Sequence, residues 1–243
     1  MKLNSIIIVL SSLVLVIAFW NRNAIPSNIE LTPGAAEEPV QSPTRKRPFE
    51  VLYEDTAYRV RPQYSYVLEG LVVSYRHHDG NSRMHKRSGD HLNMLDVCVV
   101  WGSNADPALL RKLKFWNGIF TCNVHTRDRA AWNAFDLYAL SNNHLISDRP
   151  GIRDAVLDLR IGDQIRVAGW LASYGTGGGG ERGTSTTRKD TGDGACETIY
   201  VEEFAITRAG LSYWRIAMWS ALAVLLVSLF IHFRAPYRPH AKA

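Results

Sequence analysis

The sequence predicts a mainly β domain of modest size held between two transmembrane helices. Three observations carry this. Apolar segments at residues 3–20 and 216–233 bracket a polar middle. The middle breaks into strand-length runs of alternating apolar and polar residues. Only one longer stretch, 150–159, shows an apolar helical face, at Ile152, Ala155, Val156 and Leu159.

Each end segment is about 18 residues long, and as a helix rising about 1.5 Å per residue it spans roughly 27 Å, a thin hydrocarbon core. Trp20 closes the first, while Trp214 precedes the second and Tyr237 follows it, at headgroup level. Lys2 and the short apolar run also suit a cleaved signal peptide. Residues 19–24 lack the small-x-small cleavage pattern, however, so the segment reads as a retained anchor. The second segment is uncharged apart from the titratable His232. Two spans put both termini on one side of the membrane. Arg234, Arg238 and Lys242 after the second span outweigh Arg208 and Arg215 before it, which places the termini in the cytoplasm by a small margin. The expected location is a bacterial inner membrane with the middle in the periplasm.

The expected organisation is an N-terminal span at 1–20, a Pro-rich linker at 21–62, a domain at 63–208, a C-terminal span at 213–233 and a basic tail at 234–243. The net charge of +5 lies partly in that tail and in Arg45-Lys46-Arg47, so the domain is only mildly basic. A dedicated nucleic-acid binder has a denser basic stripe. Anionic headgroups suit this charge equally well.

Within the domain the reading gives a strand at 66–75 with Gly70 at its middle, a strand at 95–101, a helical patch at 107–113 opened by Pro107, a strand at 118–125, a strand-like stretch at 135–146, the helix at 150–159, and strands at 162–172 and 198–206. A curled first strand with a central glycine, two further strands, one helix, then GDQIRVAGWLASY and IYVEEFAI: this order resembles the OB-fold, a small Greek-key barrel with a helix between its third and fourth strands. The resemblance covers roughly residues 64–208 and departs from the type in insertions at 77–91 and 175–194. It implies a small barrel and leaves open nucleic-acid, oligosaccharide and protein-binding roles. Membrane-anchored haem chaperones share this architecture but carry a His-x-x-x-Tyr that the final strand here lacks. No cofactor is expected.

Cys98, Cys122 and Cys196 show no CxxC or zinc-like spacing. Cys98 and Cys122 lie in strand-like runs and are the natural disulfide pair of an oxidising compartment, leaving Cys196 free; three buried thiols are the alternative. The Gly-rich loop at 175–197 offers backbone N–H groups, hydroxyls and cations, an anion clamp in type but without Walker spacing. Its candidate ligand-binding residues are Arg182, Thr184, Thr187, Arg188, Asp190 and Glu197. Gly177 to Gly180 is expected to be mobile and 186–197 to dock on the barrel. Asp193 and Glu197 are the carboxylates available there. His77, His78, His85 and His91 fall among arginines and lysines that repel a cation, so they read as a solvated basic loop and no metal is expected. Ser141-Asn142-Asn143-His144 reads as a tight turn with side-chain capping. Trp101, Trp116, Trp132 and Trp170 read as barrel core.

The leading expectation is a non-enzymatic, membrane-tethered binding or adaptor domain of the cell envelope, in contact with the bilayer and a protein partner. The alternatives are a membrane-bound hydrolase-like enzyme using 182–197, and an extracytoplasmic single-stranded nucleic-acid binder.

Overall fold

The computed structural model describes residues 3–26, 29–78, 90–118, 120–177, 180–187, 189–190, 192 and 195–234. His85, Arg188, Asp193, the two central glycines of the four-glycine run and the tail beyond Arg234 lie outside the described residues. The chain forms two compact units, residues 1–26 with 211–243, and residues 27–210.

In the first unit α1 (Leu3–Asn21) pairs with a C-terminal helix, Tyr213–Arg234. Both are long and apolar enough to cross a membrane. Their large side chains, such as Leu10, Ile17, Leu226 and Phe230, face outward, while the small Ser11, Ala18, Ala221 and Ser228 are buried. Small residues let helix backbones approach, the way helices associate in lipid. Asn4 donates to the Ser228 carbonyl at 3.0 Å.

The second unit is built on one mixed, mainly antiparallel sheet of seven strands. In chain order these are β1 (Val40–Pro43), β2 (Phe49–Tyr53), β3 (Thr56–His77), β4 (Asn93–Val100), β7 (Leu140–Ile146), β8 (Gln164–Gly175) and β9 (Glu197–Arg208). A separate hairpin joins β5 (Lys114–Asn117) to β6 (Cys122–His125). β3 is the organising strand. It pairs with β1 and β2 at one edge, with β4 from Leu71 to His77, and with β8 from Arg59 to Leu71. The pairings run β3–β4–β7–β9–β8 and return to β3, all antiparallel except β7 with β9. Alternation along these strands buries Tyr66, Leu68, Val97, Val99, Leu145, Val167, Leu171, Ile199 and Val201 together.

Short helices α2 (Pro107–Leu110) and α3 (Arg129–Ala134) start at Asp106 and Asp128, whose carboxylates cap backbone N–H groups. The longer α4 (Pro150–Leu157) lies between β7 and β8 and sends Val156 into the core, followed by Leu159.

Three expectations need correction. Residues 21–62 are not all linker: they hold a 3-10 turn at Pro33–Ala36 and strands β1 and β2. Short edge strands take their order from β3, so they need no periodicity of their own. A strap before β1 is fastened too, since Gln164 accepts from the Thr32 N–H (2.6 Å) and donates to the Glu30 carbonyl (2.8 Å). Second, the Asn-Asn-His turn is a buried strand, β7. Third, Trp101 is buried and Trp170 packs at the edge of a second apolar cluster, but Trp116 and Trp132 are exposed.

Gly169 faces β9 so closely that a Cβ there would run into the Tyr200 carbonyl oxygen. Gly169→Ala is expected to cost about 1–3 kcal/mol, read as a lowered urea midpoint, whereas Gly183→Ala, in open space, should leave the midpoint within error.

Candidate functional site

β4 is buried along its whole length because both its faces are covered. Leu95, Val97 and Val99 enter the core. Successive side chains alternate, so Asp96 and Cys98 lie on the opposite face. Register then sets their neighbours. Asp96 pairs with His144 and Cys98 with Asn142 on β7; His144 pairs in turn with Thr198 on β9, and Asn143 with Glu197. Cys196, one residue before β9, therefore arrives beside Asn142 and His144.

The Asp96 carboxylate has none of its surface in water. His144 Nδ1 lies 2.6 Å from Oδ1, His78 Nε2 lies 2.8 Å from Oδ2, and Asn93 Nδ2 donates to Oδ1 at 3.1 Å. Burial pushes the Asp96 pKa up. The hydrogen bonds from His144 and His78 outweigh it and hold the carboxyl well below its usual range. Burial likewise pushes His144 down, but hydrogen bonds to Asp96 and then Cys196 carry it up to about 9. His144 thus has Asp96 at Nδ1 and the Cys196 thiol as a second partner.

Phe120 covers this pair. Its backbone takes a left-handed φ of 57°, unusual for a bulky residue. Its carbonyl accepts from Asn142 Nδ2 (2.9 Å) and from the Cys196 thiol (3.5 Å), and its ring stands edge-on to His144 at 5.7 Å. Asn142 Nδ2 also lies 3.3 Å from Cys196 Sγ, while Asn117 donates to the Asn142 side-chain oxygen at 3.5 Å. Cys98 and Cys122 are disulfide-bonded, with α-carbons 5.7 Å apart, and this ties the β5–β6 hairpin over β4. Cys196 is a free, half-buried thiol.

The Gly-rich loop docks around this site. Arg182 bridges Tyr174 through backbone bonds of 2.8 and 2.9 Å. Its guanidinium lies 3.9 Å above the Phe120 ring and 3.6 Å from Asp90 Oδ2. Thr184 accepts from the Thr198 N–H at 2.9 Å; the Thr187 N–H donates to Ser185 Oγ at 3.2 Å; Ser185 Oγ donates to Asp190 at 2.5 Å. Glu197 is buried at the start of β9. Among the five described residues of the six expected to bind a ligand, Arg182 alone lines the adjacent cavity of about 360 Å³, with Tyr58, Asp90, Tyr174 and Glu181. Among the described residues, no group of His, Cys, Asp or Glu is arranged to hold a metal.

Asp96 and His144 escaped the sequence reading as a pair. One signal was present: an acidic residue inside the apolar run Leu95–Val100 must be neutralised if the run is buried. No family model, curated protein or solved structure matches this chain.

Because the folded protein holds the His144 proton more tightly than the unfolded chain does, its contribution is complete below about pH 6.5 and is lost as pH rises through about 9. The urea-unfolding free energy is expected to fall across that window by on the order of 2–3 kcal/mol. His144→Gln should be less stable at pH 6 and should lack this alkaline decline.

Proposed function

We propose that the central domain is an OB-type Greek-key barrel, tethered by two spans with both termini cytoplasmic, and that it works as a thiol-dependent enzyme of the envelope. The single observation that carries the activity is the succession Cys196, His144, Asp96. His144 meets the buried Asp96 carboxylate at 2.6 Å and feels the Cys196 thiol, which here donates to the Phe120 carbonyl, so the set offers a nucleophile, a proton carrier and the residue that positions it. Support for the barrel comes from pairings that return to β3, with one parallel pair and α4 between the third and fourth strands of the ring. Support for the location comes from the charge bias around the spans and from a disulfide, which persists in oxidising compartments.

The chemistry that suits this set is acyl transfer. Cys196 sulfur forms a bond to a carbonyl carbon while its proton rests on His144, stabilised there by Asp96. Asn142 Nδ2, already beside the sulfur, is placed to donate to the oxygen that gains charge. The tetrahedral species collapses, the leaving group takes the proton from His144, and water releases the acyl group from sulfur. The products are the protonated leaving group, a free acid that carries the hydroxyl of water, and the original thiol, reprotonated by the remaining proton of that water.

The test is alkylation of the full-length protein in detergent with iodoacetamide, followed by mass spectrometry of the Cys196 peptide. At pH 7 Cys196 is expected to react at least about tenfold faster than glutathione, with His144→Gln removing the advantage. Cys196 reacting no faster than glutathione would leave only a binding or adaptor role for the same tethered barrel.

Topology has its own test. A phosphatase reporter that works only outside the cytoplasm should be inactive when fused after residue 243 and active when inserted in the 175–194 loop. The reverse pattern refutes the orientation.

A further inference from the structure

We infer that Arg182 is the substrate-binding residue of this site, taking the carboxylate of an acidic acyl substrate whose reactive carbon lies at Cys196. This rests on the reading of Cys196 as a nucleophile. The geometry is a short relay through one residue. Phe120 carries the Arg182 guanidinium on its ring at 3.9 Å and presents its carbonyl to Cys196 Sγ at 3.5 Å. Arg182 also lines the cavity, so the same side chain faces both the open space and the cover of the thiol.

The other charges at the cavity already have partners. Glu181 is bound by Arg61 and by Ser173 Oγ, and Arg59 lies close enough to lower its pKa further. Asp90 Oδ2 accepts from the Tyr174 hydroxyl at 2.8 Å, and Oδ1 from the Asn93 N–H at 3.4 Å. Arg182 spends Nη2 on Asp90, while Nη1 is buried and has no hydrogen-bond partner among the described residues. A guanidinium presents its donors as a planar fork that matches a carboxylate, and a buried donor left over is costly. Arg182 is the cation among the residues that line the cavity, and the two carboxylates there, Asp90 and Glu181, are already engaged. An anion entering the cavity meets the exposed part of the Arg182 guanidinium and stands one residue, Phe120, from the sulfur.

Two reagents that differ only in charge separate this inference from the one it rests on. Iodoacetate and iodoacetamide alkylate the same sulfur, but only the first carries a carboxylate. In the full-length protein the ratio of iodoacetate to iodoacetamide rates at Cys196 is expected to be at least about tenfold above that ratio for glutathione. Arg182→Gln should abolish most of this preference, read as the ratio so that any change in thiol reactivity common to both reagents cancels; Arg182→Lys, which keeps the charge without the fork, should retain part of it. An unchanged ratio in Arg182→Gln, with the variant's melting curve intact, overturns the role of Arg182 and assigns any anion preference to His144. A slow iodoacetamide rate in the unmodified protein overturns the nucleophile instead, and the ratio still reports whether Arg182 draws the anion.

Discussion

A carboxylate with no surface in water must be compensated inside the protein, and Asp96 sets that demand on everything around it. Moving a carboxylate out of water costs several kcal/mol even after relaxation, so its partners have to be fixed in place before the fold is stable. His144 supplies the charge, and His78 and Asn93 are further partners of the carboxylate. Each comes from a different stretch of backbone: β7, the end of β3, and the start of β4. Their convergence ties the β3–β4–β7 registers to one another. A slip by one residue would turn Asp96 into the apolar core and bring Leu95 or Val97 out beside the histidines.

The thiol reaches this centre because β9 runs parallel to β7. A parallel neighbour requires the chain to travel the length of the sheet between the two strands. Here α4, β8 and the Gly-rich loop make that journey. The loop therefore has to end where β7 begins its polar stretch, and Cys196 is the residue at that point. The disulfide works from the other side. By holding the β5–β6 hairpin over Cys98 it positions Phe120 and Asn117, so that the outer face of β4 and β7 is roofed rather than open to solvent.

Much of the sheet was legible because its strands carry their own pattern. Residues 66–75, 162–172 and 198–206 alternate, and Gly70 and Gly169 stand where neighbouring backbone comes within reach of a Cβ. β1 and β2 were not legible. They are short and polar, and their order comes from pairing with β3. β7 was misread for a sharper reason. Asn, Ser and His favour turns in isolation, and their side chains are tolerated in a buried strand only when neighbouring elements supply partners: Asn143 donates to the Val97 carbonyl (3.3 Å), Asn142 to Phe120 O, and His144 meets Asp96. Those partners are tens of residues away in sequence, 48 in the case of Asp96 and His144. No local spacing encodes them. Cysteine chemistry was visible as residue type, and Arg182 as a cation in a suspect loop. Their relation to one another is a product of register.

The loop itself shows how a glycine-rich segment contributes to a site without most of its side chains touching a ligand. The Thr184 hydroxyl is spent on backbone and the Ser185 hydroxyl within the loop. Thr184 Oγ1 accepts the Thr198 N–H, Thr198 Oγ1 donates to the Gly183 carbonyl at 2.8 Å, and the Ser185 N–H donates to the Cys196 carbonyl at 2.8 Å. These bonds clasp the chain at the Cys196 carbonyl and at Thr198 two residues on, and Gln41 on β1 adds another by donating to the Thr186 carbonyl at 2.9 Å. Ordering a flexible loop costs about 1–2 kcal/mol per residue in backbone entropy, a cost that a merely covering loop need not meet. Spending so many bonds on residues 182–187 fixes two things at once, the direction of the Cys196 thiol and the seat of Arg182. A reactive sulfur gains rate only when its partners are already in place, so a segment that reads as an anion clamp in sequence is, in three dimensions, a frame that holds one cation on the Phe120 ring and one thiol at the Phe120 carbonyl.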